Sequence, residues 1–151
     1  MTTSEKTQIT DKARTPRVEP LPMSIAVVHL PVGDIERAIA FYTGTLGWTK
    51  VQDAPMGNAD RWVTVAPAGS NTSFRLTHDN SRGPENKGDR FSGIIIQAED
   101  LHKTCKLFKA RGIEIKEAPR NMPWGVWAMF KDSEGNVHGM HSALSESGSS
   151  H

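Results

Sequence analysis

Residues Val32 to Trp48 read VGDIERAIAFYTGTLGW, and this stretch decides the fold. Its large apolar residues recur at i, i+4, i+7 and i+11, which places them on one face of a helix. They are Ile35, Ile39, Tyr42 and Leu46. The carboxylate of Asp34 can accept the free amide hydrogens of the first helical turn, and Gly47 suits the left-handed conformation that often ends a helix. The stretch therefore predicts a capped helix that follows an apolar strand.

The same arrangement recurs further along the chain. A second predicted helix cap, Asp100, stands 66 positions after Asp34, and the turn glycine Gly135 stands 66 positions after Gly69. The apolar face of the second helix comprises Leu101, Cys105 and Phe108, with Gly112 at its end. A period of this length, seen twice, indicates two supersecondary modules that cover each other's apolar faces.

Each module also contains four predicted strands, separated by turn residues. They are Ser24–Val32, Trp48–Val51, Arg61–Ala66 and Ser73–Thr77 in the first module, and Phe91–Ala98, Ile113–Lys116, Gly125–Phe130 and Val137–Ser142 in the second. The sequence thus predicts an α+β fold of two βαβββ modules in one domain, over residues 23–80 and 91–144, with a polar linker at 81–90. Residues 1–22 and 145–151 are polar and are predicted to be disordered tails.

Composition narrows the class of protein. The net charge is +1 with both signs interspersed, so there is no basic stripe of the kind that binds nucleic acid. No apolar run approaches the roughly 20 residues that span a bilayer, and the polar first residues predict no secretory signal. The single cysteine, Cys105, excludes an internal disulfide and fits a reducing compartment. We therefore expect a cytoplasmic protein with no nucleic-acid or membrane partner.

Two strings resemble a known family. Val32 to Trp48 resembles the first-module signature of the glyoxalase, bleomycin-resistance and extradiol dioxygenase proteins, the vicinal-oxygen-chelate superfamily: a strand, Asp, a helix ending in Phe-Tyr, then Leu-Gly and an aromatic. The string FKDSEGNV at Phe130 to Val137 resembles the last hairpin of that superfamily, with Ser133 and Glu134 in place of the usual Pro and Asp. The resemblance covers residues 24–143.

The resemblance implies an open half-barrel cleft with the helices outside, in a protein that forms a homodimer. In the enzymes of the superfamily, four His, Glu or Gln side chains from the first and last strands of each module bind a divalent metal, which acts as a Lewis acid on a substrate oxygen. The corresponding positions here are Val27, Arg75, Gly93 and Gly139. Valine and glycine offer no lone pair, and arginine is a permanent cation. The resemblance therefore predicts a protein without the metal site and without a cofactor.

Two histidines leave one alternative open. His29 and His141 each lie two residues beyond a metal position, so both side chains project from the cleft-facing side of their strands. A metal shifted along the cleft could meet both, but its other neighbours would be Thr77 and Ile95. Because two histidines alone are a poor ligand set for zinc, the competing interpretation is that they bond neighbouring side chains or face an organic ligand.

Without a metal, the predicted cleft offers aromatic and polar side chains to an organic molecule. An inward-facing Arg75 is costly to bury unpaired, so we expect it to meet an acidic side chain or an anionic or carbonyl-bearing ligand. The predicted ligand-binding residues are His29, Trp62, Arg75, Gln97, Trp124, Trp127 and His141. The candidates for a catalytic role are His29, His141 and Arg75.

These observations predict that the protein binds a small aromatic or anionic organic molecule in a metal-free cleft. Two uses of such a cleft stay open: sequestration, as in the drug-binding resistance proteins of the superfamily, and metal-independent lyase or isomerase chemistry. Two other classes compete with this hypothesis. One is a metal-dependent lyase or dioxygenase with the shifted His29/His141 site, and the other is a non-catalytic accessory protein that uses residues 1–22 as a contact segment.

Overall fold

The computed structural model describes residues 17–80 and 88–143 and contains both predicted modules. The first module consists of β1 (Val27–Val32), α1 (Ile35–Ile39), a π-helical segment (Ala40–Thr45), β2 (Thr49–Gly57), β3 (Asp60–Ala66) and β4 (Ser73–His78). The second consists of β5 (Arg90–Gln97), α2 (Leu101–Ala110), β6 (Ile115–Met122), β7 (Gly125–Lys131) and β8 (Asn136–Ser142). The α+β class and the order of elements are thereby confirmed.

The predicted tails and linker are described in part. Residues 17–26 are exposed and belong to no helix or strand. Residues 1–16, 81–87 and 144–151 lie outside the described residues, so the predicted tails and linker remain a prediction there.

Each module forms its own four-stranded sheet, and the strand order is the same in both. Sheet 1 has the order β1-β4-β3-β2 and sheet 2 the order β5-β8-β7-β6. In each sheet the first and last strands of the module pair in parallel and the other pairs are antiparallel. Three prolines lie in edge strands, where the missing N–H interrupts no central ladder: Pro31, Pro55 and Pro119.

Both predicted helix caps are confirmed. The carboxylate of Asp34 accepts a hydrogen bond from the amide of Arg37 at 3.1 Å, and that of Asp100 accepts one from the amide of Lys103 at 3.1 Å. Gly47 follows the first helix with φ +84°, the left-handed conformation expected there. Among residues 17–80 and 88–143, the helices are too short and too polar to span a lipid bilayer.

The first helix differs from the prediction in its second half. It is α-helical over Ile35–Ile39 and widens to a π-helix over Ala40–Thr45. The hydroxyl of Thr43 donates to the carbonyl of Ile39 at 2.7 Å, and a side chain that bonds this carbonyl competes with the regular helical ladder. The helical spacing of the apolar residues does not reveal this competition.

A shared core joins the two modules. The ring of Phe74 on β4 lies 5.5 Å from that of His138 on β8, and the ring of Phe130 on β7 lies 5.3 Å from that of His138. Tyr42, from the π-helical segment, is fully buried in the same cluster. Cys105 of α2 is buried there too, and burial raises the pKa of its thiol, as expected for a packing residue.

A buried hydrogen-bond network crosses this core. The Tyr42 hydroxyl donates to the Asp132 carboxylate at 2.6 Å, which leaves its oxygen to accept from Nε2 of His138 at 2.7 Å. Nδ1 of His138 lies 2.7 Å from the Ser92 hydroxyl. A neutral imidazole that donates from Nε2 leaves Nδ1 to accept from that hydroxyl. Burial lowers the pKa of His138 to about 4, against the weaker effect of Asp132.

The last hairpin of the second module also caps the first helix of the other module. Glu134 is fully buried, and its carboxylate accepts hydrogen bonds from the amides of Gly33 and Asp34, both at 3.0 Å. Nε of Arg37 lies 2.6 Å from the other carboxylate oxygen. Burial by itself would raise the pKa of Glu134, but the hydrogen bonds from Arg37, Ser133 and Asp34 outweigh it and lower that pKa. The carboxylate therefore stays charged and holds the modules together.

The neutral His138 makes stability depend on pH. Its pKa is about 4 in the folded protein and near 6.5 in an unfolded chain. The unfolded chain therefore binds more protons between these pH values, so the free energy of unfolding is highest above pH 6.5 and decreases as the pH falls to 4. A shift of this size corresponds to a total loss of ~3 kcal/mol. Urea denaturation at about pH 7.5 and about pH 4.5 measures it.

Two histidine variants separate this effect from general acid sensitivity. The pH dependence in that window should be largely lost in His138→Gln and should persist in His78→Gln, because His78 is exposed. An equal pH dependence in wild type and His138→Gln would show that another group is responsible.

Candidate ligand-binding site

The two sheets each turn one face toward the shared core and one face away from it. On β4, Phe74 and Leu76 are buried in the core, so the alternating Arg75 lies on the opposite face. On β8, Met140 is buried in the core and His141 lies on the opposite face. We call these opposite faces the outward face of sheet 1 and the outward face of sheet 2. They contain all the predicted ligand-binding residues on the strands.

An aromatic pocket of about 490 Å³ lies on the outward face of sheet 2. Its lining residues are Ile95, Arg120, Met122, Trp124, Trp127 and His141. The ring of Trp124 lies 5.4 Å from that of His141 and is tilted by 30° to it. Gln97 lies beside the pocket, with its amide oxygen 3.3 Å from Nδ1 of His141. Four of the six lining residues are apolar or aromatic, and the other two, Arg120 and His141, bring polar groups to the pocket.

Trp127 is held by a hydrogen bond, and its ring occupies the space that a side chain at position 139 would need. Its indole N–H donates to Glu117 at 3.0 Å, and its six-membered ring covers Gly139. A Cβ at Gly139 would lie 2.4 Å from Cη2 of Trp127. The glycine at a metal position of the superfamily is therefore required here by the indole that occupies its space.

This contact predicts the effect of adding one methyl group. Gly139→Ala should displace the Trp127 ring and lower the free energy of unfolding by ~1–3 kcal/mol, as overpacking usually does. Urea denaturation and the tryptophan emission maximum measure the two effects. The matched control is Gly44→Ala, because nothing lies within 4 Å of a Cβ at Gly44. Equal stability of the two variants would contradict the packing of Trp127 over Gly139.

The outward face of sheet 1 is organised around Arg75. Its side chain is 12% exposed, and its guanidinium carbon lies 4.7 Å from the ring centre of Trp62, a cation–π contact. Nη2 of Arg75 is 3.3 Å from the carbonyl oxygen of Arg61 and 3.4 Å from the sulfur of Met56. The indole N–H of Trp62 donates to Gln52 at 2.8 Å, which holds the ring over the cation.

His29 is the neighbour of Arg75 on this face. The two residues are paired across β1 and β4, and Nδ1 of His29 lies 3.5 Å from the hydroxyl of Thr77. The structure thus brings Trp62, Arg75 and His29 together on sheet 1. It brings Gln97, Trp124, Trp127 and His141 together on sheet 2. No hydrogen bond, ion pair or ring contact within residues 17–80 and 88–143 joins the two groups.

The residues present do not fit the metal of the superfamily. The side chain of Val27 has no donor atom and Gly93 has no side chain. Gly139 lies under an indole ring, and Arg75 is a cation held against Trp62. Gly93 also has φ +78°, a backbone conformation that residues other than glycine rarely adopt. In the described part of the chain no three His, Cys, Asp or Glu side chains group as metal ligands would.

Several lining residues were missed by the sequence analysis. The sequence predicts that the second strand of the second module ends at Lys116, but β6 continues to Met122. Arg120 and Met122 therefore reach the pocket from the segment between two predicted strands. Ile95 was noted as a cleft-facing neighbour but not as a ligand contact, although its alternation with Gln97 places both on one face.

Comparison with known proteins identifies the family. The Glyoxalase/Bleomycin resistance protein/Dioxygenase superfamily matches residues 24–138. The chain belongs to this superfamily. A relative from Bacillus subtilis (strain 168), YetH, is 33% identical over 113 residues, which cover 75% of this chain and 92% of YetH. The resemblance drawn from the sequence is therefore confirmed.

Two further members of the superfamily bear on function. TnmS3, an antibiotic binding protein from Streptomyces sp. CB03234, is 32% identical, has a TM-score of 0.69, and aligns over 83% of this chain and 99% of its own. A probable lactoylglutathione lyase from Synechocystis sp. (strain ATCC 27184 / PCC 6803 / Kazusa) is 28% identical over 69% of this chain and 83% of its own. This superfamily chain therefore resembles both a binding protein and proteins named as lyases.

Proposed function

We propose that the protein binds a small, planar organic molecule in the aromatic pocket of sheet 2, without a metal, and thereby sequesters it. The observation that carries the proposal is the wall formed by Trp124, Trp127 and His141 around a pocket of about 490 Å³. Pockets of this size accept drug-sized ligands, and aromatic faces stack well on planar ones.

The antibiotic-binding relative supports sequestration. TnmS3 is 32% identical to this chain, and the match covers 99% of TnmS3 and 83% of this chain. Within one copy of the chain, the catalytic candidates His29 and Arg75 are on one sheet and His141 is on the other. A site that holds a ligand needs aromatic surface and fixed polar contacts, both of which the sheet-2 pocket has. A lyase or isomerase needs an acid or base beside the reacting atom, so metal-independent catalysis is the second candidate, supported by the relatives named as lyases.

Removal of one exposed indole tests the pocket. Trp124 is 55% exposed, so Trp124→Ala should leave the fold intact while it removes one wall. With naphthalene-2-carboxamide as a neutral bicyclic probe, we expect the variant to bind about tenfold more weakly, equal to ~1.4 kcal/mol. Quenching of tryptophan emission and calorimetry measure this affinity.

Controls separate the pocket from the rest of the surface and from a metal. Leu107→Ala changes a half-exposed residue on α2, outside the residues that line the pocket, and should bind the probe like wild type. The affinity should also be unchanged after dialysis against EDTA, because no metal contributes to it. An affinity that Trp124→Ala leaves unchanged, or that EDTA abolishes, would contradict the proposal. Conversion of bound molecules to products would favour the second candidate.

We further propose that the working unit is a cytoplasmic homodimer. The pocket is open to solvent on one side, and its apolar residues Ile95 and Trp124 are 57% and 55% exposed. Exposed apolar patches of this kind commonly mark an interface. A second copy, related by a twofold axis, would cover the pocket with its outward face of sheet 1, which carries Arg75 and Trp62. By the same symmetry, the first copy would cover the pocket of the second copy.

The dimer proposal predicts a change of mass on one substitution. Wild type should sediment as a dimer at about 50 µM, and Ile95→Lys should sediment as a monomer because it would bury an unpaired charge in the interface. Leu107→Lys, on the exposed face of α2, is the matched control and should remain dimeric. A monomeric wild type would overturn the proposal.

A further inference from the structure

Two buried polar atoms on the outward face of sheet 1 have no hydrogen-bonding partner among the described residues. They are the hydroxyl oxygen of Thr64 and Nε of Arg75. Thr64 is 1% exposed, and it alternates with the core residues Val63 and Val65, so its side chain shares the face of Arg75. Buried polar groups nearly always have a partner, so these two call for one that the described residues do not supply.

The two atoms belong to one row of hydrogen-bond donors. Thr64 on β3 is paired with Arg75 on β4, and Arg75 is paired with His29 on β1. A hydroxyl, a guanidinium and an imidazole thus follow one another across three neighbouring strands. All three can donate hydrogen bonds, and the guanidinium is always charged. The row suits an acceptor that is an oxygen anion.

Arg75 differs from Arg61, the other arginine on this sheet, in how its charge is paired. Arg61 forms ion pairs with Asp53, at 2.8 Å, and with Glu36. Within residues 17–80 and 88–143, the carboxylate paired with Arg75 is that of Asp60, at 3.7 Å, and the Asp60 side chain is 57% exposed. The positive charge of Arg75 is therefore well buried and weakly matched, which favours an anionic partner from outside the chain.

We infer that Thr64, Arg75 and His29 form a subsite for the carboxylate or phenolate oxygen of the bound molecule. Arg75 supplies the charge, Thr64 and His29 supply hydrogen bonds, and the Trp62 ring shields the guanidinium from water. The ligand class becomes an aromatic acid, with its ring in the sheet-2 pocket of the other copy. This inference rests on the proposed function for the aromatic part of the ligand, whereas the oxyanion contact concerns sheet 1 alone.

The oxyanion contact is tested first without the aromatic pocket. The probe is sodium benzoate, the measurement is the side-chain Nε–H resonance of Arg75 in ¹⁵N NMR spectra, and Arg75→Met assigns that resonance. It should shift to saturation with benzoate and should not shift with benzamide or with the same concentration of sodium chloride. If benzoate leaves it unmoved, a bound water satisfies the orphaned atoms and the inference is overturned.

The ligand class is tested with a matched pair of probes. Naphthalene-2-carboxylate should bind wild type about tenfold more tightly than naphthalene-2-carboxamide, since a hydrogen bond to a charged group is stronger than a neutral one. Arg75→Met should abolish this preference, and Thr64→Val should reduce it about fivefold. Lys50→Met, which removes a cation paired with Asp53 at 2.9 Å on the same sheet, should keep it.

The outcomes distinguish this inference from the proposed function. If the carboxamide fails to bind wild type, the proposed function is wrong, and the benzoate experiment still decides the subsite. If both probes bind equally well, the proposed function stands and the subsite is overturned. Thr64→Val should fold with at least the stability of wild type, because it removes an orphaned hydroxyl. A loss of stability with the preference unchanged would make Thr64 structural and overturn its assigned role.

Discussion

A buried hydrogen-bond network between the modules determines how the rest of the molecule is arranged. Tyr42 of the first module bonds Asp132 and His138 of the second, and Glu134 of the second caps the helix that begins after Asp34 in the first. A shift of one module against the other would break these bonds while the groups stay buried, at ~1–3 kcal/mol for each neutral group left without a partner. The network therefore fixes the core-facing sides of the two sheets against each other. As a result, both outward faces are left for a ligand or a partner.

The chemistry of the outward faces depends on the residues that stand at the metal-ligand positions of the superfamily. Gly139 makes room for the Trp127 indole, which becomes a wall of the pocket. Arg75 brings a fixed positive charge to the equivalent strand of the other sheet, held against Trp62. A metal ion polarises an oxygen, whereas a guanidinium and an indole bind an anion and a ring. The proposed binding of an aromatic acid rests on these two substitutions at the metal-ligand positions.

The sequence predicted the fold well because the fold signals are local. The caps Asp34 and Asp100 and the apolar period of each helix are set by neighbours a few residues away, and the 66-residue repeat shows that the modules are alike. The site was predicted less completely. The bonds of His138 to Tyr42 and Ser92 join segments that are far apart in the chain, and alternation along one strand does not reveal them.

The arrangement of the two faces is tested most directly by mixing two defective proteins. Arg75→Met damages the outward face of sheet 1 and Trp124→Ala damages that of sheet 2. If the ligand lies between copies, dissociated and re-associated mixtures of the two variants contain mixed dimers with one intact site each. About a quarter of all sites should then bind naphthalene-2-carboxylate with wild-type affinity. If both faces of a site come from the same chain, the mixture will bind no better than the two variants alone, and the account is wrong.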